Sequence, residues 1–216
     1  MKTSERQDLT WRLCTELAVA VLRGDDPDAV YENAKTVLEG GLRAIEITLT
    51  VPHAEDVIRR LAEGTDALIG AGSVRTTADV DRCLDAGAQF IVSPTCSPEV
   101  IGRSVERNAV VIPGAMTPTE ILRAWDLGAD LVKVFPASRL GPRFLSDVHG
   151  PLPEIPLVPT GGITDVNALD YLRAGAAVIC IGSWLTAGHK DEIRSRAQSM
   201  SKLTKEYKER RSVNLS

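Results

Sequence analysis

One lysine stands in the middle of an otherwise apolar run, Leu131-Val132-Lys133-Val134-Phe135. If the run is a strand, two-residue alternation sends Leu131, Lys133 and Phe135 to one face. Desolvation of an amine in that position favours the neutral form that attacks a carbonyl carbon. A second run, Ala44-Ile45-Glu46-Ile47-Thr48-Leu49, places Glu46 and Thr48 on one face and Ile45, Ile47 and Leu49 on the other. A carboxylate in an enclosed, low-dielectric place can hold or release a proton near neutral pH, which is general acid–base work. Lys133 and Glu46 together are therefore either a carbonyl-attacking pair or a structural ion pair. The second would cost desolvation energy that two hydrophobic residues avoid, which tilts the reading toward chemistry.

Two glycine turns, Thr160-Gly161-Gly162 and Gly182-Ser183-Trp184, each follow a short apolar run. Backbone N–H groups in such turns bind an anion without net positive charge. Glycine after a strand is common, so either turn alone says little. Arg23 follows Ala20-Val21-Leu22 and can pair bidentately with a carboxylate, or it is an ordinary surface arginine. In Gly70-Ala71-Gly72-Ser73 the small residues admit close approach to backbone, and Ser73 supplies a hydroxyl. Met116, Cys96 and the three tryptophans read as packing.

These groups need a scaffold, and the chain supplies a repeating one. Short β-branched runs at Ala18–Leu22, Ala44–Leu49, Leu68–Val74, Phe90–Ser93, Val110–Pro113, Leu131–Phe135, Leu157–Thr160 and Val178–Ile181 alternate with helical patterns. Between the second and third, Ala54, Val57, Ile58, Leu61 and Ala62 form one apolar helical face. Helix starts are marked by Asp26-Pro27, Ser97-Pro98 and the capping box Thr117-Pro118-Thr119-Glu120. Helix ends carry glycine at Gly40-Gly41, Gly87, Gly128 and Gly175. The pattern predicts an α/β fold, a (β/α)8 TIM barrel of one domain over residues 1–216. It has an extra N-terminal helix, Glu5–Leu17, and a long C-terminal one, Asp191–Arg211. An open doubly wound sheet fits less well, for want of a G-x-G-x-x-G turn after the first strand. In a barrel the two glycine turns fall after strands seven and eight, the recurrent phosphate position.

Composition narrows the rest. With 216 residues, 44% hydrophobic and 25% charged, the chain can bury a core, and a net charge of −4 gives no basic field for nucleic acid or an acidic membrane. Four dispersed cysteines without a CxxC pair, and no apolar stretch long enough to span a bilayer, suggest a cytoplasmic protein with reduced thiols. Three histidines without HExxH spacing argue against a metal, and nothing calls for a cofactor.

The segments AVAVLRG, GGLRAIEITLTVPHA, IGAGSV, GAQFIVSP, IPGAMTPTE, LVKVFPAS, VPTGGIT and IGSW, from about Ala18 to Leu185, resemble the 2-keto-3-deoxy-6-phosphogluconate (KDPG) / 4-hydroxy-2-oxoglutarate (KHG) aldolases. These are class I pyruvate aldolases. The resemblance implies that Lys133 forms a Schiff base with the 2-oxo carbon and that Glu46 moves the protons. It implies that Thr160, Gly161, Gly162, Gly182 and Ser183 surround the substrate phosphate, that Arg23, Ser73 and Pro94 lie around the pyruvate carboxylate, and that the protein is a homotrimer. One branch of the family has arginine four residues after the glutamate, where this chain has Thr50, and many members have threonine at Ser73. The chain looks like the branch whose first-strand motif ends in LR, so Arg23 takes over the carboxylate. Two alternatives share the architecture: a phosphate-binding barrel that isomerises or epimerises sugar phosphates, and a silent barrel that senses a sugar acid. Neither requires a lysine within strand six. Within the family, a 2-keto-3-deoxy-6-phosphogalactonate aldolase is a further alternative.

Overall fold

The computed structural model describes residues 4–213. Among these residues are nine strands, separated by helices except between the fifth and sixth: β1 (Ala18–Leu22), β2 (Ala44–Thr48), β3 (Leu68–Gly72), β4 (Phe90–Val92), β5 (Val110–Ile112), β6 (Gly114–Ala115), β7 (Val132–Val134), β8 (Leu157–Pro159) and β9 (Ile179–Ile181). The helices are α1 (Ser4–Glu16), α2 (Pro27–Glu39), α3 (Ala54–Gly64), α4 (Thr77–Asp85), α5 (Pro98–Glu106), α6 (Pro118–Asp126), α7 (Ala137–His149), α8 (Ala168–Arg173), α9 (Ser183–Thr186) and α10 (Lys190–Val213). The starts follow local chemistry. Asp26 and Ser97 cap α2 and α5, and Thr117 with Glu120 forms the reciprocal capping box of α6. Gly41, Gly87, Gly128 and Gly175 all take positive φ where a helix hands over to the next strand.

Every strand pairing is parallel, giving an α/β fold with two sheets. Six strands run in the order β5-β4-β3-β2-β1-β9 and three in the order β6-β7-β8. The sequence predicts eight unbroken strands in one barrel; instead the run Val110–Pro113 is split. Its first part pairs with β4 and its continuation with β7, because Pro113 between them has no N–H to carry a ladder. At the other junction the sheets meet at the Thr160–Cys180 bridge, beside a hydrogen bond from the Ala177 N–H to the Leu157 carbonyl at 2.9 Å.

Two apolar layers hold this arrangement. The larger lies between strands and helices, with Ile45, Ile47, Val57, Ile58 and Leu61 among its members. The smaller lies on the opposite strand face, where Val19, Ala44, Leu68, Phe90, Val110 and Val178 pack together. Leu13 of α1, fully buried, joins this inner layer beside the strand starts, so α1 seals that end. α10 lies against the outer layer through Ile193, Ala197 and Met200. Ala197 sits so close to Gly40 that a Cβ there would come within 2.4 Å of its own. Among the described residues, no helix is long and apolar enough to cross a membrane.

A buried clasp anchors α1. Arg6 donates twice to Asp130 Oδ2, at 2.8 and 2.6 Å, and once to the Gly128 carbonyl at 2.7 Å. Asp130 also accepts from the Val111 N–H at 2.9 Å. Removing one partner of a buried pair strands the other, at a cost of about 3–5 kcal/mol. Arg6→Ala is therefore expected to lower stability by about that amount in urea denaturation, and a loss below about 1 kcal/mol would show that the clasp contributes nothing beyond its contacts with water.

Candidate active site

Glu46 occupies the centre of β2, opposite Gly70 of β3, and Lys133 the centre of β7, opposite Gly114 and Val158. Both side chains are buried, Glu46 completely and Lys133 to 4% exposure. The Glu46 carboxylate leans over β3: a Cβ on residue 72 would fall 1.9 Å from Oε1, so any side chain at Gly72 would displace the carboxylate. Below it, the Phe90 ring covers Gly70, where a Cβ would meet the ring at 2.3 Å.

The expected partnership of Glu46 and Lys133 holds electrostatically but is not a direct bond. Both Glu46 oxygens are buried without a hydrogen-bond partner, and the Lys133 ammonium stands 5.2 Å from the centroid of the Phe135 ring. Burial pushes the Glu46 carboxyl up, and the charges of Lys133 and Arg23 pull it partly back. Cys180 shares this interior, and burial with the Glu46 charge pushes its thiol up to about 12, so it stays neutral.

The remaining residues group at strand ends. Thr48 donates to the Leu22 carbonyl at 3.1 Å, tying the end of β2 to the backbone just before the exposed Arg23. Thr48 and Thr50 hydroxyls are 2.7 Å apart. Ser73 follows β3 with φ 60, an uncommon conformation for a non-glycine residue that marks a turn shaped by its surroundings. Pro94 passes so near β6 that a Cβ on Gly114 would meet its carbonyl at 2.3 Å. Thr160 is buried, and Gly161 and Gly162 both take positive φ in the turn after β8. The Asn167 side chain braces that turn, donating to the Gly162 carbonyl and accepting from the Thr164 N–H, each at 2.9 Å. Gly182 and Ser183 open α9, with Ser183 exposed. Among the described residues no hydrogen bond joins Ser73, Pro94 or Ser183 to Glu46 or Lys133.

Sequence reasoning missed Asn167 and Phe135, and read the space at Gly72 as a ligand's where the Glu46 carboxylate fills it. Asn167 holds the turn, and Phe135 reaches from Lys133 to within 3.4 Å of where a Cβ on Gly161 would stand. Phe135 was within reach, since alternation already put it on the face of Lys133. Two packing assignments are corrected: Met116 is 44% exposed and Trp11 67%. Met116 lies on the turn capped by Glu120, outside either core layer, and Trp11 faces outward from α1 because Leu13 takes the inward position.

Glu46 also sets a pH dependence. Its folded-state carboxyl is raised from the ordinary 4.5, so the fold favours the protonated form. Stability from that group is complete below the unfolded value and is lost as pH rises through the folded one. Glu46→Gln, always neutral, is thus expected to gain stability over the parent as pH rises. Urea midpoints of the two should nearly coincide in acid and diverge toward neutral pH, with Gln the more stable. A constant difference across that range would contradict it.

Comparison with known proteins gives a consistent picture. A family model described as "Aldolase: KDPG and KHG aldolase" matches residues 11–200. The 2-dehydro-3-deoxy-6-phosphogalactonate aldolase of Escherichia coli is 36% identical over 194 residues, 88% of this chain and 94% of that protein. The KHG/KDPG aldolase of the same organism is 37% identical over 174 residues, covering 76% and 81%. The solved KDPG aldolase of Legionella pneumophila, with pyruvate captured as a covalent carbinolamine, superposes with a TM-score of 0.78 at 26% identity, covering 94% of this chain and 98% of that one.

Proposed function

The chain belongs to the KDPG and KHG aldolase family, and from that we propose a residue-level mechanism for it as a class I aldolase that releases pyruvate from a phosphorylated 2-oxo acid. It is a carbon–carbon lyase. The observation that carries the mechanism is the buried, unpartnered Glu46 carboxylate close enough to feel Lys133 yet not bonded to it.

In the proposed cycle the Lys133 amine attacks C2 of the substrate, forming a C–N bond and a carbinolamine. Glu46, as the acid, protonates the departing hydroxyl, which leaves as water and gives the iminium. Glu46, now a carboxylate, accepts the C4 hydroxyl proton while the C3–C4 bond breaks. The electron pair of that bond passes into the iminium, yielding an enamine and an aldehyde. Protonation at C3 and addition of water release pyruvate and restore the amine. The carbinolamine in the Legionella relative supports this reading. Arg23, Ser73 and Pro94 are assigned to the pyruvate carboxylate, with Thr48 holding the Leu22 carbonyl beside Arg23. Thr160, Gly161, Gly162, Gly182 and Ser183 are assigned to the distal phosphate: Asn167 braces the Gly161–Gly162 turn and Ser183 is exposed at the start of α9, while Thr160 is buried, with its N–H given to the Val134 carbonyl and its hydroxyl to the Val158 carbonyl.

KDPG, giving pyruvate and glyceraldehyde 3-phosphate, is the proposed substrate, with KHG as a second that gives pyruvate and glyoxylate. The galactonate epimer is the other reading, favoured by the likeness to the E. coli galactonate aldolase. Rates of pyruvate release across the three acids rank them.

We also read residues 1–216 as one domain and its two sheets as a single (β/α)8 ring, a reading supported by the continuity of β5 and β6 through Pro113 and by the Thr160–Cys180 bridge. The proposed assembly is a homotrimer in the cytoplasm. The exposed Met116, Leu122 and Leu127 on and beside α6 are the kind of apolar surface a second copy covers.

Lys133→Ala is expected to abolish pyruvate formation while the fold persists, and borohydride with pyruvate is expected to label the parent at Lys133 but not the variant. More than about 1% of parental kcat, a barrier rise under about 2.7 kcal/mol, would sink the Schiff-base assignment. For the distal site, Ser183→Ala should lower kcat/KM on KDPG by about 10-fold or more, the loss of one hydrogen bond to a charged group. KHG, without a phosphate, should be affected far less, and equal losses on both acids would remove Ser183 from the phosphate.

A further inference from the structure

Arg139 has no part in the chemistry above, yet the fold fixes it beside the turn assigned to the phosphate. The first turn of α7, residues 137–140, is a separate unit. Gly141, with φ 74 and ψ 169, breaks the helix and Pro142 follows, so strand ends and not the body of α7 orient this turn. The Ala137 N–H donates to the Thr160 carbonyl at 2.8 Å and the Ser138 N–H to the Gly161 carbonyl at 3.1 Å. Ser138 packs on Gly162, where a Cβ would come within 2.6 Å of its own. From the other side, the Tyr171 hydroxyl donates to the Ala137 carbonyl at 2.9 Å. Arg139 is the next residue, exposed and ion-paired to no carboxylate among the described residues.

The isolated turn carries Arg139 and no acidic residue, so no carboxylate of its own turn competes for the guanidinium.

Building on the assignment of the distal phosphate to the Thr160–Gly162 turn and Ser183, we propose that Arg139 is a specificity-determining residue that pairs with the phosphate monoester of the substrate. A free guanidinium then stands at each end of the ligand, Arg23 at the carboxylate and Arg139 at the phosphate. Backbone N–H groups and a serine hydroxyl accept a neutral terminal hydroxyl as well as an anion. A guanidinium distinguishes them by charge. Because the pair is open to solvent, its contribution is screened by salt.

The test compares parent, Arg139→Gln and Arg139→Lys, using KDPG and the same acid without its phosphate, at low and high NaCl. The readout is the ratio of kcat/KM for the phosphorylated over the unphosphorylated acid. Arg139→Gln is expected to lower that ratio about 10-fold, the low end for a hydrogen bond to a charged group, chiefly through KM. Arg139→Lys should restore much of it, and salt should depress the parent ratio but hardly that of Arg139→Gln. An unchanged ratio, or an equal loss on both acids, overturns the role of Arg139. Ser183→Ala run alongside separates the two assignments. If it lowers the ratio and Arg139→Gln does not, the phosphate site stands and Arg139 alone is wrong; if neither does, the phosphate site falls as well.

Discussion

A carboxylate with no hydrogen bond, enclosed between β2 and β3, is the least comfortable group in this molecule, and the surrounding fold is arranged around it. Burial works against its charge while Lys133 and Arg23 work for it, and neither cation reaches it directly. Had Lys133 closed onto Glu46 as an ion pair, the amine would be occupied and the space between them lost. Held apart, with the ammonium against the Phe135 ring, the two leave room for a third participant. The two apolar layers have to absorb the resulting desolvation penalty.

β3 makes that separation possible by giving up side chains. Only Leu68 keeps a side chain on its inward face; Gly70 yields its space to the Phe90 ring and Gly72 to the Glu46 carboxylate. Beyond Leu68 the strand thus contributes backbone alone to the interior, and its neighbours fill the gap from both directions. A glycine in a strand usually weakens it; here the loss is offset by a phenylalanine fully buried in the inner layer. The same economy recurs at Gly114, which lets the Pro94 carbonyl approach β6.

Much of this was legible in the sequence because it is written in local chemistry. Period-two runs became strands, Asp26, Ser97 and Thr117 became caps, and glycines before strands took positive φ. Alternation correctly turned Glu46 inward and Ile45 and Ile47 outward. What stayed hidden depends on distance between elements. Nothing local says that Glu46 and Lys133 stop short of bonding, that Gly72 lies under a carboxylate two strand positions along, or that Asn167 reaches back to Gly162. Pro113 was visible, but it was read as the end of a strand, whereas it divides one run between two sheets. Pro142 was visible too, and its break in α7 was not anticipated.

The clasp between Arg6 and Asp130 has a bearing on how the chain assembles. The two residues are 124 positions apart, and β1 does not gain its second neighbour until β9 exists. The N-terminal segment therefore leaves the ribosome long before either partner has been made. Contacts of such long sequence separation carry a loop-closure cost that must be met before they return anything. Leu13 has no inner layer to enter until the strands around it have gathered, so α1 docks late despite being synthesised first. Until then the half-built sheet exposes unpaired strand edges, the state in which a growing chain is most open to chaperones and to misassociation.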